Sequence, residues 1–417
     1  MSEKVLRSDI DIRSAAERLR SVVLRTPLQF HRKLSDFYGA EIWLKREDLQ
    51  IVRSYKLRGA YNFISSLNET SKLAGICCAS AGNHAQGVAW SCNHLGIQGT
   101  IFMPAITPKQ KINQVRMFGG DRVEIRLSGD TFDDCQEEAL AFAASSGRAF
   151  IPPFDHPKII EGQGTVGKEI LEDLPEVDYI FLPVGGGGIS AGVGHYIKTF
   201  APEKKVIGAE PAGAPSMKEA IKQGEPVRLN RIDPFVDGAA VRQVGQFTFN
   251  ICKDVLEEVL LVPEGKICSV ILQLYNEDAI VAEPAGALSI AALDQYAEKI
   301  KGKKVVCLVS GGNNDIDRMQ EIKERSLLYE GLKHYFIVRF AQRPGALKEF
   351  VNHILGPSDD IVRFEFMQKN NKESGPALIG IEVKSKEDYK GLLTRMIRYG
   401  LNYTEVNQNE NLFEYLV

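Results

Sequence analysis

The chain has 417 residues, enough for two or three domains and a large buried core. Its 51 basic and 54 acidic residues leave a net charge of -3, which gives no reason to expect nucleic acid, an anionic membrane surface or an acidic tail. At 44% hydrophobic and 25% charged, with no uninterrupted apolar run of spanning length, the composition is that of a globular, enzyme-sized protein.

The opening residues Met1-Ser2-Glu3-Lys4-Val5 lack the apolar run of a signal peptide, so a cytoplasmic protein with no membrane partner is expected. The seven cysteines include the pair Cys77-Cys78 but no Cys-x-x-Cys and no Cys/His cluster at zinc spacing. Reduced, buried thiols and no metal follow. Asn68-Glu69-Thr70 matches a glycosylation sequon but has no secretory context.

In chain order, apolar spacing predicts a helix over 11–23, with Asp9 or Asp11 as N-cap. A strand over 41–46 leads to Arg53-Ser54-Tyr55-Lys56-Leu57-Arg58-Gly59, just ahead of a helix over 59–67. A strand-turn-helix rhythm follows. Strands are expected over 75–79, 99–103, 122–127, 149–151, 178–184, 205–209 and 303–309, and helices over 109–118, 131–145 and 189–200. This alternation implies open, mostly parallel sheets covered by helices, with ligands at the carboxyl ends of the strands. Three polar turns fall at such ends: 80–84, 185–188 and 310–314. Near 329–331 the pattern changes to βαββαβ, with strands over 334–340, 360–369, 377–384 and 402–406, helices through 354 and over 386–399, and a loop over 370–376. That order is a ferredoxin-like unit. Residues 1–328 and 332–417 are read as the two functional regions.

Lys56 stands beside an aromatic ring and between Arg53 and Arg58. Like charges disfavour another ammonium, so its amine could serve as nucleophile or base; Arg58 can equally be read as a structural helix residue. Gly162-Gln163-Gly164-Thr165-Val166-Gly167-Lys168 satisfies both G-x-G-x-x-G and the start of a P-loop. Glu169 stands where the P-loop needs a hydroxyl, and 155–158 is no buried strand, so a helix entry is the better account. Gly185 to Gly188, after an apolar strand and before a helix, can converge several N–H groups on one anion, which suits a cofactor phosphate. A flexible turn is the competing account. Ser80 to His84 can hold a carboxylate at a helix start, or simply cap the helix through Ser80 or Asn83. His84 alone reads as structural.

An activatable lysine, a phosphate cup and a carboxylate cradle in one α/β chain match what pyridoxal phosphate requires. Ser54-Tyr55-Lys56-Leu57-Arg58-Gly59-Ala60, Ser80-Ala81-Gly82-Asn83-His84, Gly185 to Gly188, Glu283-Pro284-Ala285-Gly286-Ala287 and Ser310-Gly311-Gly312-Asn313 together resemble the threonine dehydratases (threonine ammonia-lyases). These belong to the tryptophan-synthase-β-like pyridoxal phosphate enzymes, with a two-lobed catalytic region. The resemblance runs from about Val5 to Arg325. The tail, with Arg343-Pro344-Gly345-Ala346-Leu347, is similar to one ACT-like regulatory domain of the biosynthetic form.

The resemblance implies the following roles. Lys56 is the Schiff-base lysine and the base at Cα, and Tyr55, where Phe is common, flanks the ring. Asn83 bonds the ring hydroxyl; Gly185, Gly186, Gly187, Gly188 and the Ile189 amide hold the phosphate; Ser310 faces the ring nitrogen. Ser80, Ala81, Gly82, Asn83 and His84 hold the substrate carboxylate. L-threonine, and L-serine beside it, would be deaminated to a keto acid, 2-oxobutanoate in the case of threonine, as the first step of isoleucine biosynthesis. Isoleucine as inhibitor and valine as a second effector at the C-terminal domain are expected, in a homotetramer. A serine at the ring nitrogen withdraws electrons less than a carboxylate partner, which favours elimination over transamination. Ala81 replaces the second serine of serine racemases, which argues for dehydration alone. Glu210-Pro211-Ala212-Gly213-Ala214 resembles the cation loop of some relatives, but Ser216 stands where those with a divalent metal have Asp, so no metal is assigned. The alternative within the resemblance is another β-eliminating or racemising pyridoxal phosphate enzyme acting mainly on serine; a nucleotide-dependent oxidoreductase and a non-catalytic amino-acid sensor are the alternatives of different class.

Overall fold

The computed structural model describes residues 10–368 and 372–407 and divides into two compact units, Met1–Asp315 and Ile316–Val417. The first unit begins with α1 (Ile12–Leu19), β1 (Leu28–Phe30), α2 (Arg32–Tyr38), β2 (Glu41–Arg46), α3 (Lys56–Ser65) and α4 (Glu69–Ala74). It continues through β3 (Ile76–Ala79), α5 (Asn83–Leu95), β4 (Gly99–Met103), α6 (Lys109–Gly119), β5 (Val123–Leu127), α7 (Phe132–Ser146) and β6 (Ala149–Phe150). Next come α8 (Pro157–Asp173), β7 (Tyr179–Pro183), α9 (Gly188–Phe200), β8 (Lys205–Pro211), α10 (Ser216–Gln223) and α11 (Gln246–Val255). The unit closes with β9 (Glu258–Val262), α12 (Glu264–Asp278), α13 (Pro284–Ala291), α14 (Ala297–Ile300) and β10 (Lys304–Val309).

These strands make two sheets, ordered β1-β2-β10-β7-β8-β9 and β5-β4-β3-β6, parallel except where β1 joins β2. The chain starts in the larger sheet, leaves to build the smaller one, and returns, so the lobes are interleaved. β3, β4, β7 and most of β8 and β10 are buried. That is the apolar signature of strands covered on both faces, and it explains why they were legible as short apolar runs. β2 and β10 pair in register from Glu41↔Lys304 to Arg46↔Val309, so their carboxyl ends finish side by side.

Asp11 caps α1, its Oδ1 accepting from Ser14 N at 3.0 Å; the other candidate cap, Asp9, lies outside the described residues. The glycines of 162–167 correct the sequence reading: they lie inside α8, not at its entry. A Cβ on Gly162 would strike the Arg58 backbone at 2.7 Å, and one on Gly164 would come within 2.9 Å of Gly192 O. They let α3 and α9 press onto α8 at backbone distance, a packing role rather than a nucleotide one.

The second unit holds α15 (Met319–Glu330), β11 (Lys333–Ala341), α16 (Ala346–His353), β12 (Asp360–Phe366), β13 (Ser374–Glu382), α17 (Lys386–Arg398) and β14 (Tyr403–Glu405). Its antiparallel sheet runs β12-β13-β11-β14, the ferredoxin-like order. Phe336, Val338, Ile379, Ile381, Leu392 and Met396 form its buried centre, alternate residues on the strands and one face of α17. Ser374 to Pro376, expected in a loop, are the first residues of β13; the expected positions 369–371 lie outside the described residues. The turn near 329–331 is Gly331, which ends α15, whereas the compact division falls ahead of that helix. Among the described residues no helix is long and apolar enough to cross a membrane.

Candidate active site

Lys56 is the first residue of α3, with Tyr55 at the N-cap, one turn earlier than the sequence pattern suggested. The loop ahead of it is tied to the end of β10. Gly312 N donates to Arg53 O at 2.9 Å, Tyr55 N donates to Ser310 O at 3.2 Å, and Ser54 bridges Gly311. Arg53 takes a left-handed conformation, φ 57°, to make that turn. Lys56 and Ser310, 254 positions apart, are therefore neighbours through backbone bonding.

Lys56 Nζ donates to Pro153 O at 2.9 Å and lies 5.5 Å from the centre of the Tyr55 ring. Loss of water inside the cleft lowers its pKa to about 8, and the Glu283 carboxylate opposes that fall. The arginine neighbours are not the cause. Arg58 is fully buried and points away into its own ion cluster, with Nη2 2.8 Å from Glu47 Oε1 and Nη1 2.6 Å from Glu169 Oε1. The positive charge invoked from the sequence is thus cancelled where it stands. Burial also raises the Tyr55 hydroxyl, so that residue is a neutral wall.

Gly185 to Gly188 join β7 to α9, whose first residue is Gly188, followed by buried Ile189. Gly187 has φ +91°, and a Cβ there would meet Met217 Cε at 2.8 Å; one on Gly185 would meet Ala239 Cα at 2.8 Å, and one on Gly186 would land on the Phe154 ring. Thr248 Oγ1 braces the turn by donating to Gly186 O at 2.6 Å. The glycines are required by crowding around the turn, and a flexible connection does not need that. The turn lines the cleft at the N-terminus of α9, where unpaired backbone N–H groups favour negative charge.

Ser80, Ala81 and Gly82 follow β3, and Asn83 and His84 open α5. Neither Ser80 nor Asn83 caps that helix through its side chain; Gly82 is the N-cap. Ser80 Oγ instead accepts from Gly82 N at 3.3 Å, and Asn83 Nδ2 donates to Glu283 Oε1 at 2.6 Å. His84 Nε2 is 3.0 Å from Ile151 O, which can only accept, so that nitrogen carries the proton; burial and Lys56 push the imidazole down to about 3. The neutral ring has no donor left for a carboxylate, which leaves the helix-start amides for that task. Gly87 admits α5 against the Lys56 backbone, where a Cβ would come within 3.2 Å. Ser310, buried at the end of β10, donates from Oγ to Ala285 O at 3.2 Å.

These residues line one cleft of about 1220 Å³. Sequence reasoning missed several of its other walls, Pro153 and Phe154, and gave no role to the side chains of Asn313 and Glu283. Glu283 carried a signal, a lone carboxylate before Pro284 in an otherwise small and apolar run. Glu210 accepts from Met217 N at 2.6 Å and Lys218 N at 2.9 Å, so its carboxylate is engaged at the start of α10. No group of three or more potential metal ligands occurs among the described residues.

Residues 19–311 match the family model described as pyridoxal-phosphate dependent enzyme, and 324–416 match the C-terminal regulatory domain of threonine dehydratase. The biosynthetic L-threonine dehydratase of Halalkalibacterium halodurans is 58% identical over 408 residues, 98% of each chain. That of Bacillus subtilis is 56% identical over 97% of this chain and 96% of its own. Among solved structures, the processed form of threonine deaminase isoform 2 from Solanum lycopersicum superposes with a TM-score of 0.73 at 41% identity, covering 77% of this chain and 90% of that one. Maize serine racemase gives 0.71 at 29% identity over 77% of this chain and 98% of its own. The chain belongs to the pyridoxal-phosphate dependent enzyme family, among the biosynthetic L-threonine dehydratases that carry a C-terminal regulatory domain.

Proposed function

We propose that the chain deaminates L-threonine to 2-oxobutanoate and ammonia by eliminating the β-hydroxyl, with L-serine as a second substrate, as the first step of isoleucine biosynthesis. The observation that carries this is Lys56, a desolvated amine in one cleft with a four-glycine anion cup, an asparagine and a strand-end serine.

The cleft fits pyridoxal phosphate by its own chemistry. It offers a single amine near neutrality, an anion cup that no Cβ could enter without collision, and a small hydroxyl at a buried strand end. Lys56 would hold the cofactor covalently, Gly185 to Gly188 and the Ile189 amide its phosphate, Asn83 its ring hydroxyl and Ser310, with its hydroxyl turned from Ala285 O, its ring nitrogen, with Tyr55 along the ring. When bound, the cofactor supplies the electron sink that makes the Cα proton of an amino acid acidic. Once the substrate's amino group has displaced it, the freed Lys56 amine would take that proton, and a pKa of about 8 keeps enough of it neutral at physiological pH to do so. The first-turn amides of α5, with Ser80 to His84, bind the substrate carboxylate and orient Cα. Ala81 has no hydroxyl to return a proton from the opposite face, which supports dehydration without racemisation.

The C-terminal unit is read as the regulatory module, with isoleucine the inhibitor and valine the second effector, in a cytoplasmic homotetramer. Titrating threonine turnover with each amino acid tests this; no response to either would leave subunit assembly as the unit's role. Sedimentation of the purified protein tests the tetramer. The enzymatic reading fails if the protein never takes up pyridoxal phosphate. It also fails if threonine yields no keto acid.

A further inference from the structure

We infer that Glu283 is a positioning residue that, together with Asn313, fixes which way the Asn83 amide faces, and so which N–H is presented to the cofactor's ring hydroxyl; this rests on the cofactor site proposed above.

Donors and acceptors are matched along one buried chain of side chains. Asn313 Nδ2 donates to Val52 O at 2.9 Å and to Asn83 Oδ1 at 2.6 Å, which uses both of its protons. Asn83 Nδ2 donates one proton to Glu283 Oε1 at 2.6 Å and keeps one. The two ends of the chain, a backbone carbonyl and a carboxylate, are acceptors. Flipping Asn83 would set its oxygen against the Glu283 carboxylate and its NH2 against that of Asn313. Flipping Asn313 as well would set its oxygen against Val52 O. Only one orientation of the two amides satisfies both ends, and it leaves a single Asn83 N–H, on the residue that lines the cleft beside Lys56.

The fold makes room for this contact. Glu283 is the N-cap residue of α13 yet forms no side-chain cap, so its carboxylate is free to reach across to α5. A Cβ on Gly286 would land on Gly311 O, and one on Gly311 would sit 2.8 Å from Glu283 Cδ and 3.2 Å from Asn83 Nδ2. Two glycines thus let α13 and the end of β10 close onto the pair. Glu283 is 6% exposed, and burial together with Asp237 raises its pKa to about 7, while Asn83, Lys111 and Lys56 hold it down. Ionised or protonated, it keeps an oxygen that can accept from Asn83. A purely structural carboxylate at this helix start would instead bond the helix's own first-turn amides.

The test is equilibrium uptake of pyridoxal phosphate by apoprotein, with the absorption band of the bound cofactor, for wild type, Glu283→Gln, Glu283→Ala, Asn83→Ala and the Glu283→Ala/Asn83→Ala pair. If Glu283 acts through Asn83, each alanine variant raises Kd by about tenfold or more, the loss of one strong hydrogen bond. Both shift the band in the same direction, and the pair is no more than about threefold worse than Asn83→Ala alone. Glu283→Gln retains an acceptor oxygen and stays within about threefold of wild type. An unmoved Glu283→Ala, fully multiplicative effects in the pair, or a glutamine variant as damaged as the alanine one would each overturn the inference. Should Glu283→Ala fail to fold, Glu283→Met, which keeps the length and removes the acceptor oxygens, takes its place, and the same rise in Kd is required of it. A wild-type protein that takes up no cofactor overturns the site reading as well, whereas wild-type uptake beside an indifferent Glu283→Ala overturns the inference alone.

Discussion

Replacing Arg58 by Met tests why Lys56 is activated and what holds its helix in place. The Arg58 guanidinium donates to Glu47 at 2.9 and 2.8 Å, to Glu169 at 2.6 and 3.0 Å and to Thr165 Oγ1 at 3.1 Å, while Lys45 Nζ reaches Glu169 at 2.6 Å. Two cations and two carboxylates cancel, with Lys45, Arg58 and Glu47 fully buried. Arg58→Met conserves length and apolar bulk but leaves one negative charge uncompensated, which costs roughly 3–5 kcal/mol. Urea denaturation of the apoprotein at pH 7 measures this. The sign with pH follows from Glu47: burial alone would raise its carboxyl, but the Arg58 charge and hydrogen bonds, with Lys45 and Thr26, together hold the folded pKa below 4.5. Its stabilisation is present above 4.5 and is lost as pH falls through the lowered value, so the gap between variant and wild type narrows in acid. A loss under about 1 kcal/mol would refute the charge argument, because that is the scale of an exposed pair. A shift of the Lys56 titration by a full unit in Arg58→Met would revive Arg58 as the cause of the lysine's low pKa.

Capture of pyridoxal phosphate by wild-type apoprotein needs the neutral amine. Its rate should therefore rise about tenfold per pH unit and level off near 8, and a rise continuing past pH 10 would contradict desolvation of Lys56. At pH 7.5 a pKa of about 8 leaves about a quarter of the amine neutral, against about one part in a thousand for an ordinary lysine. Gly187→Ala, forced to φ +91° with its Cβ 2.8 Å from Met217 Cε, should weaken cofactor binding by about tenfold or more in a fluorescence titration. Ser310→Asp places a carboxylate at the ring nitrogen and should raise transamination relative to elimination, read as the ratio of amine-form cofactor to 2-oxobutanoate. An unchanged ratio would remove Ser310 from that role.

What the sequence revealed, and what it concealed, divides along contact range. The parallel strands were legible because burial on both faces writes them as continuous apolar runs, and β12 and β13 because alternation marks a half-covered sheet. The turns at Ser80, Gly185 and Ser310 could be placed at strand ends by local grammar alone. The reason for Lys56's depressed pKa could not. Arg58 looked like a neighbouring charge, but its partners Glu47 and Glu169 lie 11 and 111 residues away, and nothing local marks them. Gly162 and Gly164 looked like helix punctuation because their real constraint, the backbones of α3 and α9, is a tertiary contact. Glu283 escaped for the same reason: its partner Asn83 is 200 positions away. The family resemblance supplied residue roles that physical reading alone left open, among them the division of labour between Asn83 and Ser310.

The central claim is that Lys56 performs the elimination on threonine with pyridoxal phosphate in this cleft. The most direct measurement gives L-threonine to the reconstituted wild-type protein and to Lys56→Ala, and follows 2-oxobutanoate and ammonia. The account predicts equimolar 2-oxobutanoate and ammonia from the wild type. From Lys56→Ala it predicts turnover lower by about a thousandfold or more, the scale of losing an essential nucleophile or base. Comparable turnover by the two proteins would contradict the account.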